Sequence, residues 1–230
     1  MLAAVTLGLA VTGRLSLYVN PESSWFAVGM SVLVLAGAIA TFALPLGAED
    51  DHGHGEDDHH HAPRRPLGLA AAVAGGIVAS VIALATLVLP PASLSAELAM
   101  SRDVGAPPLF AGADAVNLAT TGDTASFGIG EWSAVFATAT NPEAFDGDAV
   151  TLTGFVTTDE DGFALTRLVI THCVIDAQTA TLPVSVAGST PDTGQWVTVK
   201  GTVRSMPDGR LVIDAASVEA IDEPTDPYEY

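Results

Sequence analysis

The chain has 230 residues, with 27 acidic against 8 basic side chains and a formal net charge of −19. Hydrophobic residues make up 49% and are segregated from the charge into long runs, which excludes one uniformly soluble globule. So acidic a chain also excludes a nucleic-acid role, because phosphate recognition needs a basic face.

The first segment, Met1 to Tyr18, is apolar except for Arg14. It reads as a short first membrane helix, with Arg14 snorkelling to the interface beside Tyr18. A start placed downstream of the true one would account for its shortness. A secretory signal peptide is the rival reading, but it lacks a basic leading region and a small-x-small cleavage pattern before Pro21. Trp25–Leu46 and Pro66–Leu89 are uncharged runs of 22 and 24 residues. Each exceeds the roughly 20 residues that cross about 30 Å of hydrocarbon, so both are expected to be transmembrane helices. Ala36-x-x-x-Ala40 and Gly75-x-x-x-Ala79 put small residues on one helical face, where another helix can approach closely. The spans carry no internal acid, histidine or lysine, which argues against an ion pathway within this chain alone.

Between those runs, Glu49 to His61 holds six carboxylates and five imidazoles: His52, His54, His59, His60 and His61. Neutral imidazole and carboxylate are the usual ligands of Zn2+ and other divalent transition metals. The composition fits adaptable metal capture rather than a rigid catalytic site. A solvated loop with no selected ligand is the plain alternative. Three spans would put this loop and the N-terminus on one side and everything after Leu89 on the other. Arg64 and Arg65 balance Arg14 and Arg102, so positive charge does not choose the orientation. From Asp103 onward there are 19 acids against four Lys/Arg. Such a domain is repelled by anionic cytoplasmic lipid, which places it outside the cytoplasm.

Pro90-Pro91 stop the last span, and residues 92–129 read as an irregular stalk rich in small residues. Trp132, Val135 and Phe136 fall at helical spacing, and Asn141-Pro142 closes that short helix. The period then becomes that of strands: Val150–Val156, Phe163–Cys173, Ala180–Val186, Gln195–Val203 and Leu211–Val218. Turns fall at Asp159–Gly162 and Pro207–Gly209, and Gly154 and Gly201 mark bulges or sharp bends. Five short strands suggest an OB-like barrel rather than a sandwich. The organisation is therefore transmembrane helices over 1–91 with a His/Asp-rich loop at 47–65, a stalk over 92–129, a short helix plus an all-β OB-like five-stranded barrel over 130–223, and a tail over 224–230.

Chemistry in the barrel concentrates at Arg167, His172, Cys173 and Asp176, around the sole cysteine. Strand neighbours point to opposite faces, so His172 and Cys173 share a site only if the strand ends or bulges there. Cys173 as a small core residue is one reading. A turn gathering His172, Cys173 and Asp176 as metal ligands is the other, with further ligands required to complete a tetrahedron. A nucleophilic Cys173 would need a base and an oxyanion donor, and the sequence names no such pair. Arg167 is expected to ion-pair with one of the many acids.

Several stretches together carry a family resemblance. These are Gly13-Arg14-Leu15-x-x-Tyr18-Val19-x-Pro21, Pro91-Ala92-x-Leu94, Ala99-x-x-Arg102, Glu131-Trp132, Asp146–Val156, Arg167–Ala177 and Pro227-Tyr228-Glu229-Tyr230. In these the chain resembles the YcgQ-type bacterial membrane proteins over nearly its whole length. The resemblance implies a membrane anchor bearing a barrel-like domain, a YcgR-type polytopic permease as partner, and a setting of zinc homeostasis. Many such proteins have two adjacent cysteines where this chain has His172-Cys173; a histidine can replace a metal-ligating cysteine but not half of a dithiol. The expectation is a non-enzymatic accessory subunit of a two-component permease in the bacterial inner membrane, contacting lipid and no nucleic acid. The alternative is a stand-alone membrane metal-binding or sensor protein.

Overall fold

The computed structural model describes residues 1–43, 66–89, 94, 99, 101, 124–159 and 162–230. The chain divides into two compact units. One comprises Met1–Ser16 and Pro21–Pro91, the other Leu17–Asn20 and Ala92–Tyr230.

The first unit is helical: α1 (Leu2–Val11), α2 (Ser24–Ala43) and α3 (Pro66–Val88). The segment expected to be a first membrane helix is helical for only 10 residues. That is about 15 Å, half the hydrocarbon thickness. Gly13, at φ 70°, ends it in the left-handed region, and a 3-10 turn follows over Leu15–Leu17. Among the described residues, one helix, Pro21–Ala40, is long and apolar enough to cross a membrane. It opens on an edge-to-face pair, Trp25 and Phe26, both exposed. Leu33, Ile39, Ile77, Ile82 and Leu84 are exposed as well.

The second unit contains α4 (Ile129–Thr138) and, among the described residues, six strands: β1 (Ala149–Asp159), β2 (Gly162–Val169), β3 (Gln178–Val186), β4 (Trp196–Ser205), β5 (Leu211–Ala220) and β6 (Tyr228–Glu229). They form one mixed sheet in the order β1-β4-β5-β3-β2-β6, and β1 also pairs with β2. The first five strands therefore close into a ring. Strand β1 serves two neighbours: Ala149–Phe155 pair with β4, and Phe155–Asp159 pair with β2. The β3–β5 seam is parallel and joins only Val184–Val186 to Ile213–Ala215.

Alternation along the strands sorts side chains into two clusters. The main core combines Val150, Leu152, Phe163, Leu165, Leu182, Val199 and Ile213 with Ile129, Trp132 and Val135 of α4. Trp132 is 1% exposed and meets Phe127, Phe136 and Phe145 edge to face. The second cluster lies on the opposite faces of β1 and β2: Phe155, Leu168, Ile170, Ala177 and Tyr228, with Ala99, Leu17, Leu94 and Trp196.

Four of the five expected strands lie within three residues of their predicted ends. Sequence reading misplaced the end of the second and missed β6. Gly201 sits at a register shift, as expected of a bulge. Gly154 does not: the β1–β4 register runs through it unbroken. A Cβ there would lie 2.6 Å from the Thr166 carbonyl oxygen and 2.7 Å from Ile129 Cδ1, so the glycine admits β2 and α4 at close range.

Candidate functional site

Strand β2 stops at Val169, four residues short of Cys173. The expected strand through His172 and Cys173 is instead a turn leading into a 3-10 turn over Val174–Asp176. Asp176 organises it. Its Oδ2 accepts the His172 amide at 2.9 Å, and its Oδ1 accepts the Cys173 amide at 3.2 Å. His172 Nδ1 lies 3.0 Å from the same Oδ2. The imidazole is thereby oriented by a carboxylate, while its side chain stays 78% exposed. Cys173 is half-buried and belongs to neither core cluster, and its backbone carbonyl accepts the Asp176 amide at 3.0 Å. The core-cysteine reading therefore gives way to the broken-strand one.

Gathering these three residues does not build a metal centre from them. Among the described residues, no group of three or more His, Cys, Asp or Glu side chains is placed to hold a metal ion. What the turn holds instead is a distant piece of chain. Asn20, 6% exposed, donates its side-chain amide to the Thr171 carbonyl at 2.9 Å and to the Ile170 carbonyl at 3.3 Å. Its backbone amide donates to His172 at 3.0 Å, Val174 donates to Tyr18, and Val19 bridges Cys173. Sequence reading missed this role of Asn20, though it lies inside the Tyr18-Val19-x-Pro21 stretch. The expected metal ligands His52, His54, His59, His60 and His61 lie outside the described residues.

Arg167 is not part of the turn. Its guanidinium donates to the carbonyls of Thr153 (3.0 Å), Asp226 (2.9 Å) and Tyr228 (3.2 Å). It also stacks over Trp196 at 5.8 Å. The ion-pair partner expected for it is Glu229, at a long 3.9 Å. Glu229 in turn accepts the first amides of α4, from Ile129 at 3.0 Å and Gly130 at 2.7 Å, while Glu131 accepts the Gly128 amide at 2.9 Å. Helix amides left without intrahelical partners are satisfied this way. Burial pushes the Glu229 carboxyl up, against the downward pull of those amides and Arg167. Gly128 is small for a reason: a Cβ there would come within 2.8 Å of the Glu229 carboxylate.

A groove of about 500 Å³ lies where the β4–β5 hairpin meets β3, lined by Asp159, Pro183, Arg204, Met206, Arg210 and Asp214 among others. Arg204 pairs with Asp214 at 3.5 Å and Arg210 with Asp208 at 2.7 Å. The local charges balance, so the groove selects no sign of ligand.

Two family models match the chain: the DUF1980 N-terminal domain over residues 1–105 and the DUF1980 C-terminal domain over residues 132–230. No curated protein and no solved structure matches it.

Proposed function

We propose that this chain, which belongs to the DUF1980 family, is a non-enzymatic membrane accessory subunit that packs its helices on a polytopic permease and holds an OB-like β-barrel outside the cytoplasm of a bacterium. One observation carries the reading. Leu17–Asn20, just before α2, and Ala92–Tyr230, just after α3, belong to one compact unit. That shared membership supports the topology proposed here, in which both ends of the α2–α3 pair lie on one side of the bilayer and the His-rich loop between them on the other. The length of helix α3, 23 residues or about 34 Å, supports its role in this proposal as the return crossing. Its exposed apolar side chains and those of α2 suit lipid and a membrane partner. Trp25 suits the interface at the start of α2. Helix α1 enters as the short first span. The strand order, with a parallel β3–β5 seam and a helix packed on the ring, supports the OB-like assignment.

The loop bearing His52, His54, His59, His60 and His61 would then sample divalent metal, zinc in the first instance, on the cytoplasmic side. Its composition also favours the second reading, a stand-alone metal-binding or sensor protein. Reporter fusions in the loop and after Tyr230 should report opposite compartments; the same compartment for both would overturn the topology. Affinity purification from membranes should recover a polytopic partner, with transport lost on deletion. A lone monomer with transport intact would sink the subunit role. In that case, zinc calorimetry on the five-histidine-to-alanine variant decides the sensor reading: unchanged binding dismisses it.

A further inference from the structure

Segment Asp226–Tyr230 is held in the manner of a bound peptide rather than of a stave of the ring. Closure of the five strands does not involve it, since β1–β2 pairing completes the ring without β6. Its backbone adds in parallel to the edge of β2 through only two residue pairs, Leu168 with Tyr228 and Val169 with Glu229. The Ile170 amide donates to the Glu229 carbonyl at 2.9 Å. Tyr228 is an aromatic anchor, 3% exposed in the second apolar cluster, and its hydroxyl accepts the Leu94 amide at 2.9 Å. The Glu229 carboxylate is captured by two helix amides, and Arg167 reads two carbonyls of the segment. Strand addition, a pocketed aromatic and amide capture of a carboxylate are the elements of extended-peptide recognition. The connector suits release as well. It includes Pro224 and Pro227, whose missing amides cannot anchor it to a neighbouring strand.

We infer that residues 226–230 are a ligand bound in cis, and that their seat on β2 and α4 is a docking site for an extended acidic–aromatic strand, taken from a second copy of the chain when its own segment is released. The geometry specifies that occupant: an aromatic side chain followed directly by a carboxylate, in an extended backbone whose carbonyls face Arg167. Gly128 is the gatekeeper, because any side chain there would fill the carboxylate position.

The test uses the chain ended at Glu223, purified in detergent micelles, and a fluorescently labelled synthetic peptide of residues 224–230. The truncated chain should bind the peptide saturably. A Tyr228→Ala peptide should bind at least tenfold more weakly, Gly128→Ala in the chain should weaken binding similarly, and the intact chain should bind far less. If the truncated chain is unfolded alone, the peptide should restore a cooperative thermal transition. Three results would overturn the inference: a folded truncated chain that ignores the peptide, an unfolded one that is not rescued, or equal binding of the Tyr228→Ala peptide. In the intact chain, the amides of Ile129, Gly130 and Ile170 should exchange with solvent deuterium together, and at least tenfold faster than that of Val199. Exchange at the same rate as Val199 would show that the segment never detaches separately.

Discussion

Replacing Gly154 by alanine adds one methyl group where three atoms already stand. The new Cβ would be 2.6 Å from the Thr166 carbonyl oxygen, 2.7 Å from Ile129 Cδ1 and 3.2 Å from Leu165 Cδ1. Ordinary contact needs nearly an ångström more for the first two. The Thr166 oxygen is backbone, fixed by the pairing of Thr166 with Phe155 on one side and Thr181 on the other. Ile129 is fully buried at the start of α4 and cannot swing outward. Relief must therefore come from separating β2 or α4 from β1, and overpacking of this kind costs about 2–3 kcal/mol. Guanidinium unfolding of the full chain in micelles, followed by tryptophan fluorescence, should show the midpoint falling with an unchanged denaturant slope. Gly37→Ala, on α2 with nothing within 4 Å of its Cβ, should show no loss. A Gly154→Ala change smaller than about 0.5 kcal/mol, the range of neutral surface substitutions, would refute the reasoning.

Trp132→Ala should cost about 3–5 kcal/mol and flatten the near-ultraviolet circular dichroism, since three phenylalanine rings lose their common partner; a retained near-ultraviolet signal would contradict that. Glu229→Gln tests the effect of pH. Burial raises the Glu229 carboxyl in the fold, so its contribution is fully present below the ordinary carboxyl value and is lost as pH rises through the raised one. Unfolding measured from pH 4 to 7 should show the wild type losing stability relative to the glutamine variant as pH rises, and the reverse slope would be decisive against it. Asp176→Ala should destabilise by about 1 kcal/mol, as loss of a capping carboxylate does, because two backbone amides lose their acceptor. His172→Ala should cost far less in a thermal melt, its ring being exposed; equal costs would mean that the imidazole pair, not amide capping, holds the turn.

The strands were legible because apolar alternation is a local property: Val150, Leu152, Gly154 and Val156 mark one face wherever the chain goes next. The end of β2 was not. Leu168, Val169 and Ile170 continue the apolar run, and only the Glu229 carbonyl taking the Ile170 amide, together with Asn20 taking the next two carbonyls, ends the strand there. Those partners lie 59 and 150 residues away, beyond any window of periodicity. The grouping of His172, Cys173 and Asp176 was suggested by spacing, but which atom of Asp176 meets which amide depends on the 3-10 turn. Arg167 was read correctly as meeting an acid. Its three carbonyl partners carry no side-chain signal, so its part in holding residues 226–230 was invisible. Gly154 makes no bulge, and its close approach to β2 and α4 has no signal in sequence, where a glycine that admits a neighbour and one that interrupts a ladder look alike.

The β3–β5 seam has a mechanical consequence. Three residue pairs hold that join, against nine at the β4–β5 join. Under load or heat the ring has a rip line there. Parting it leaves every other ladder intact, as an open sheet running β5-β4-β1-β2-β3 with β1 as its spine. The apolar lining would then face outward along one continuous surface. The packing of α4 against β1, β2 and β3 rivets those three strands into one piece, so a tear at the seam would swing the β4–β5 hairpin away from a piece that the helix keeps whole.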